Sequence, residues 1–239
     1  MITIILIPYP EQPDRLYGPA VTAVIRGIEM GIIKNYADAD HIRISWYTKK
    51  TDLLGPFLRS VLWVQGCSRN CPGCIAEHTH SPEGGEVVLI GDIAKEFIAV
   101  NETEGMTVSG GEPFHQADRL CRLAGEIRER RPGYGLIIYT GYTYEELTAS
   151  DEKSVKELLG MTDILIDGAY VEALDDNAGL RGSSNQRVIP LTDRYSEHME
   201  MYLNPAARKN SMEINGEVFR MTGIPSQSSK ELMKKLGII

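Results

Sequence analysis

The chain has 239 residues, with 25 basic against 33 acidic side chains, a net charge of -8 and four cysteines. That length buries a full core as one domain with room for an appendage. The acidic balance argues against non-specific binding to nucleic acid or anionic membranes, and no apolar run approaches the roughly 20 residues of a membrane-spanning helix.

The N-terminus, MITIILIPYP, carries a short apolar run, Ile2 to Ile7, closed by Pro8 and Pro10. It lacks the basic leader and the length of a secretory signal. It reads as a buried first strand within an N-terminal extension, residues 1–41, packed on the core. The expectation is a soluble cytoplasmic protein whose thiols stay reduced. Its cysteines are then packing residues or metal ligands, not a disulfide framework.

Val61 to Val64 predicts a strand running into the loop GCSRNCPGC. Asp92 to Val100 has helical spacing, with Ile93, Phe97 and Ile98 on one side. Gly105 to Ser109 predicts a short strand. Gln116 to Arg130 predicts an amphipathic helix with the stripe Ala117, Leu120, Cys121, Ala124 and Ile127, stopped by Pro132 and Gly133. Leu136 to Tyr139 is the next strand, and a helix starts near Tyr144. Another covers Ser154 to Leu159, ended by Gly160. Asp163 to Ile166 and Arg187 to Leu191 are further strands. Asn215-Gly216 signals a hairpin turn, and a short helix is expected near Glu231 to Leu236. Alternating strands and helices predict an α/β fold with a parallel sheet covered by helices. In such folds chemistry sits at the C-terminal ends of strands. Cys67, Gly110-Gly111-Glu112, Thr140 and Asp167 all follow strands, so they should converge on one rim.

Cys67, Cys71 and Cys74 have the spacing C-x3-C-x2-C, with Pro72 and Gly73 inside it. Proline resists helix continuation and glycine lets the backbone pass close to whatever the sulfurs hold. Three readings compete: chance packing, a zinc site completed by His78 or His80, and an iron–sulfur cluster. With only three thiolates, a cubane keeps one iron open for another ligand. Cys121 lies in a helix stripe and reads as core.

The cysteine loop after one strand, followed by Ser109-Gly110-Gly111-Glu112-Pro113 after the next, resembles the radical S-adenosylmethionine superfamily. Gly73, Tyr139-Thr140-Gly141-Tyr142-Thr143, Asp167-Gly168 and the run Arg181-Gly182-Ser183-Ser184-Asn185-Gln186-Arg187 are similar to the activating proteins of anaerobic ribonucleoside-triphosphate reductases, over about residues 45 to 192. Two departures stand out. That family usually shows Asp-Gly-Pro-Gly-x-Arg before the cysteine strand, where this chain has Leu54-Gly55-Pro56-Phe57-Leu58-Arg59. An aromatic or histidine, then asparagine, usually follows the third cysteine, where this chain has Ile75-Ala76.

The resemblance implies an open, partial TIM-like barrel of about six βα units over residues 42–203, followed by a C-terminal hairpin and short helix over 204–239. It implies a [4Fe-4S] cluster on Cys67, Cys71 and Cys74 whose open iron is chelated by S-adenosylmethionine. Reductive cleavage would give a 5′-deoxyadenosyl radical that removes hydrogen from a backbone glycine of an anaerobic ribonucleotide reductase. The electron would come from a donor such as flavodoxin or ferredoxin. Glu112 would accept from the cofactor ammonium, with Gly110 and Gly111 beside its methionyl part and the backbone at Gly73 and Ile75 beside the adenine. Thr140 and Asp167 would contact ribose or a cation, or serve as ordinary caps. The Arg181–Arg187 run would form the site rim or the partner-docking face, with His115 on the rim and His78 and His80 in the loop. A compact radical enzyme acting on a small molecule or peptide, and a zinc-stapled binding module, are the alternatives.

Overall fold

The computed structural model describes residues 40–215 and 218–238. The strand expected at Ile2–Ile7, and all of the N-terminal extension before residue 40, lie outside them. The architecture is α/β, built on one seven-stranded mixed sheet in the order β3-β1-β2-β4-β5-β6-β7. Its strands are β1 His41–Thr51, β2 Arg59–Val64, β3 Glu86–Leu89, β4 Gly105–Gly110, β5 Gly135–Tyr139, β6 Ile164–Asp167 and β7 Arg187–Pro190. Four helices lie between strands: α1 Ile90–Ile98, α2 Ala117–Arg130, α3 Tyr144–Thr148 and α4 Lys153–Met161.

The four central strands, β2, β4, β5 and β6, run parallel. β1 is antiparallel to both β2 and β3, and β7 is antiparallel to β6. The sheet therefore carries fewer parallel βα units than the expected six. The reason at the β7 end is the connection: between β6 and β7 the chain makes only a 3-10 turn, Glu172–Leu174, and no crossover helix. A parallel return needs such a crossover. At the other end β1 and β3 went unread in the sequence, although Ile42 and Ile44 alternate inward along β1. β3 and β7 are the sheet's two edges, so the sheet is open among the described residues.

Strand alternation divides the core in two, because successive side chains point to opposite faces. Ile42, Ile44, Leu62, Val64, Met106, Val108, Leu136, Ile138 and Leu165 meet the helix stripes, including Phe97, Leu120, Leu123 and Ile127. Cys121 joins this cluster at 8% exposure, as expected of a core thiol. On the other face Val61, Trp63, Ile137, Tyr139, Ile164 and Ile166 are covered by Leu180, Tyr195, Tyr202 and Ile224. These come from the chain after β6, which supplies the second layer that an open sheet requires.

The C-terminal part forms a separate two-stranded sheet, β8 Asn210–Asn215 with β9 Val218–Gly223, then α5 Gln227–Lys235. Asn215 pairs with Val218, so the hairpin loop falls on 216–217, outside the described residues. α5 starts earlier than expected because Ser226 caps it, its Oγ accepting from the Ser229 N–H at 3.2 Å. Among the described residues no helix is long and apolar enough to cross a membrane.

At the N-terminal ends of the central strands sits a buried cation. Arg59 has no exposed surface. Its Nε donates to Thr107 Oγ1 at 2.9 Å, one terminal nitrogen to the Met106 carbonyl at 2.7 Å, and the other to Tyr195 Oη at 2.8 Å and Glu104 Oε2 at 3.1 Å. Just before it, Phe57 holds φ 62°, a left-handed backbone that favours glycine. This is one of the positions where the sequence departs from its resembled family. Phe57 stays exposed and meets the His198 ring edge-on, at 4.7 Å between centroids. Arg59→Met removes the cation, takes this donor from Thr107 and the Met106 carbonyl, and leaves Glu104 with Arg194 and Tyr195 as its partners. The expected loss is about 3 kcal/mol of unfolding free energy, measured by urea titration of the purified chain. A loss under about 1 kcal/mol would show that the network is incidental to stability.

Candidate active site

The C-terminal ends of β2 and β4 carry the two loops that the sequence singled out. Their apposition continues the strand pairing beyond the sheet: Gly111 N–H donates to the Val64 carbonyl at 2.7 Å, and Glu112 N–H to the Gly66 carbonyl at 2.8 Å. A Cβ at Gly111 would stand 2.3 Å from the Gly66 carbonyl oxygen, and one at Gly110 would stand 2.5 Å from that of Val64. The two glycines are thus required by the neighbouring backbone itself. Sequence reasoning found the need for glycine but assigned the close neighbour to a cofactor.

The cysteine loop leaves β2 with Gly66 and Cys67 donating to the Thr79 and His80 carbonyls, at 2.8 and 3.0 Å. Cys74 N–H closes the turn onto the Cys71 carbonyl at 3.0 Å. All three thiols are free and partly exposed. Burial pushes the Cys67 and Cys74 thiols up; Glu112 and Cys71 add to it at Cys67, and Cys71 and Cys67 add to it at Cys74. Thiols of this kind become good ligands when a metal supplies positive charge. Among the described residues no group of three or more histidine, cysteine or acidic side chains is arranged to hold a metal ion, so the three thiols share one loop without forming a ready-made metal site. A donor set of three thiols with no histidine or carboxylate among them suits an iron–sulfur cluster. Gly73, between the second and third cysteines, lies against Glu172, whose Oε2 would be 2.5 Å from any Cβ there.

Glu112 is 1% exposed. Its carboxylate accepts from Phe114 N–H at 3.0 Å, Thr140 Oγ1 at 2.7 Å and Gly141 N–H at 2.9 Å. It therefore ties the loop after β4 to the loop after β5. Burial raises its pKa to about 7, against the lowering effect of those three donors. Thr140 faces Glu112 and also accepts from Tyr142 N–H at 3.1 Å. Asp167 turns away from the cysteines: it accepts from Tyr144 N–H at 2.7 Å, in the first turn of α3, and from Arg187 Nε at 3.0 Å. Arg187 in turn forks onto Glu145 at 3.0 and 2.6 Å.

The Arg181–Arg187 run is largely self-contained. Gln186 Oε1 accepts from Gly182 N–H at 2.8 Å, while its Nε2 donates to the Gly168 carbonyl at 2.8 Å. Asn185 Nδ2 donates to the Ala169 carbonyl at 2.8 Å, and Ser183 Oγ accepts from Val171 N–H at 3.2 Å. The run braces the loop after β6.

His115, expected on the rim, joins the loops, together with Arg69, Gln65 and Gln116, which the sequence did not flag. His115 Nε2 lies 3.2 Å from Ser68 Oγ and 3.1 Å from Tyr142 Oη. Burial lowers its pKa, which keeps it neutral near pH 7. Arg69 stacks 4.9 Å over the Tyr142 ring. Gln116 Nε2 donates to the Gln65 carbonyl at 3.1 Å, and Gln65 Nε2 to the carbonyls of His78 and Ser81, both at 2.9 Å. A polar side chain beside each motif was the only available signal.

Two cavities border the loop. A cleft of ≈ 630 Å³ lies on the β1 side and touches Cys67, Ser68 and His115. A smaller cavity of ≈ 80 Å³ gathers Cys74, Ile75, Gly110, Gly182 and Gln186. The smaller one holds more of the expected site residues, so size alone misplaces the centre.

A family model described as a 4Fe-4S single cluster domain matches residues 53–189. The anaerobic ribonucleoside-triphosphate reductase-activating protein of Escherichia coli K12 is 32% identical over 141 residues, covering 56% of this chain and 89% of that protein. Proteins of the same name from Vibrio cholerae and from phage T4 are 32% and 29% identical, each over 148 residues, covering 58% and 60% of this chain and 91% of each relative. With the cysteine loop, the glycine pair and the buried glutamate inside the matched span, the chain belongs to the 4Fe-4S single cluster domain family, among the anaerobic ribonucleoside-triphosphate reductase-activating proteins.

Proposed function

We propose that this chain is a cytoplasmic radical S-adenosylmethionine activase that places a glycyl radical on an anaerobic ribonucleotide reductase. The observation that carries the reading is the cysteine loop itself: three free neighbouring thiols, partly exposed, stitched to a Gly-Gly-Glu loop at the C-terminal ends of adjacent parallel strands. When bound, a [4Fe-4S] cluster and S-adenosylmethionine supply one-electron reduction of the sulfonium and, through it, removal of hydrogen from a glycine. The electron donor is a small carrier of the flavodoxin or ferredoxin type. Residues 42–203 are the catalytic unit, a partial TIM-like barrel in its curvature, with 1–41 leading it and 204–239 appended.

Within that unit Cys67, Cys71 and Cys74 hold the cluster. Gly110 and Gly111 bring the loop after β4 against the cysteine loop, and the backbone at Gly73 and Ile75 lines the nucleoside side. Glu112, with three donors already on it, offers a remaining lone pair to the cofactor ammonium. Thr140 holds that carboxylate in place. Asp167, braced by Arg187, positions the rim rather than touching the ligand.

Anaerobic reconstitution should give a brown protein with about four irons that releases methionine from S-adenosylmethionine under reduction. Incubation with the partner reductase should then produce a glycyl electron-paramagnetic signal. A colourless protein holding one zinc would overturn the reading. Cys71→Ala should lose most of the iron and all methionine release. Cys121→Ala, a change in the helix-side core, should keep both.

Ammonium pairing needs Glu112 ionised. With its pKa raised to about 7, affinity for S-adenosylmethionine should rise as pH goes from 6 to 8, by up to about tenfold per unit where one proton is released. The same raised pKa means the folded chain holds a proton that the unfolded chain has lost between about pH 4.5 and 7. This group's contribution to stability therefore declines as pH rises across that window. Glu112→Gln should bind the cofactor at least tenfold more weakly and flatten both profiles, as read by calorimetry and by urea midpoints.

A further inference from the structure

The family match ends at residue 189, yet the cavity at the third cysteine is walled on its far side by residues well beyond it. Arg208, Ile224, Pro225 and Lys230 face Cys74, Ile75, Gly110, Gly182 and Gln186 across ≈ 80 Å³. A site for a drug-sized ligand occupies about 300 Å³ or more, so a nucleoside cofactor does not fit while these residues are seated. Phe219 and Met221 of β9 and Met233 of α5 pack on Ala76, with Cys74 and Ile75 at the margin of the same cluster. The appended hairpin and helix thus sit directly on the end of the cysteine loop.

What holds them there is a buried ionic latch. Asp175, in the loop after β6, accepts a fork from Arg208 at 2.9 and 3.0 Å and a further bond from the Lys230 ammonium. Lys230 also donates to Tyr170 Oη at 3.0 Å, and Arg208 Nε to the Pro225 carbonyl at 3.0 Å. Two cations share one carboxylate with almost no exposure. Such a group is costly to leave half-paired, so breaking one contact loosens the rest.

We propose that the described residues of the hairpin and helix, from Arg208 through β8, β9 and α5, form a latched gate over the Cys74 pocket, opening through release of Asp175 to admit S-adenosylmethionine. The inference rests on the activase reading and adds to it a step no family motif contains. Opening precedes entry, so the observed binding rate must level off at the opening rate as ligand increases.

The structure supplies its own probe: Arg220 of β9 lies 3.9 Å over the Trp46 ring of β1, so lifting the hairpin changes Trp46 fluorescence. The test is anaerobic stopped-flow mixing of S-adenosylmethionine with the cluster-loaded full chain, paired with hydrogen exchange of the β8, β9 and α5 amides. The wild type should show a plateau rate. Asp175→Asn should raise that plateau and the amide exchange of the appended segment by at least tenfold. Lys230→Met, which removes one arm and keeps an apolar stem, should raise both in the same direction, so the outcome does not depend on a single variant folding well. A rate linear in ligand with no plateau, or a plateau unmoved by either variant, would sink the gate and leave the activase reading standing. A cluster-loaded wild type showing no binding by calorimetry would remove the activase reading, and the gate with it.

Discussion

The site depends on one backbone apposition, the Gly110-Gly111 step lying flat against Val64 and Gly66 where β4 leaves the sheet beside β2. Parallel strands normally diverge into separate loops once their ladder ends. Here two further backbone bonds, at 2.7 and 2.8 Å, carry the pairing past the ladder. Side chains at either glycine would collide with the facing carbonyls. Because this contact is fixed, the first cysteine and the glutamate of the next loop have a set separation before any ligand arrives, the preorganisation that binding sites need. Every other contact at the rim, from His115–Ser68 to Arg69–Tyr142, builds outward from it.

Buried carboxylates then perform the same structural task at three successive strand junctions. Glu112 binds the loop after β5 to the loop after β4. Asp167 binds the first turn of α3 and the Arg187 of β7. Asp163, just before β6, accepts from Leu136 N–H at 2.8 Å and Thr192 Oγ1 at 2.7 Å. Each satisfies donors that a loop would otherwise bury unpaired. Only Glu112 has the cysteine loop beside it, and burial there raises its pKa to about 7.

The cysteine spacing, the Gly-Gly-Glu loop and the position of both after strands were legible because they depend on short stretches of chain. So was Cys121, through helical periodicity. The roles of Thr140 and Asp167 were legible only as a choice between ligand and cap, since their partners lie 28 and 23 residues away in sequence. Arg59 gave no sign of its network, whose partners reach from Thr107 to Tyr195. β3 was missed because a short, partly exposed edge strand shows weak alternation, and β1 because its alternation is confined to Ile42 and Ile44; the antiparallel direction of β7 follows from a missing helix rather than from any residue in the strand. The Arg181–Arg187 run was legible only through resemblance, as site rim or partner-docking face. Several of its polar groups brace the loop after β6, a use that depends on partners outside the run.

The chain after β7 has two parts with different chemistry, and this decides which part can move. Its beginning lies under the sheet, where Tyr195 and Tyr202 fill the face opposite the helices and Tyr195 joins the Arg59 network. Extracting those rings would expose large apolar area and break a buried cation's bonds, a cost comparable to unfolding the sheet. Its later part, from Arg208 onward, is held by Ile224 on the sheet face, by a few apolar side chains on Ala76 and by contacts to the loop after β6. Ionic contacts of this kind lose little once water reaches them, because solvation replaces what the latch provided. Opening is therefore confined to the end nearest the cysteines, while the aromatic end keeps the segment tethered. The chain after β7 thus supplies both much of the sheet's second layer and a cover over the Cys74 pocket.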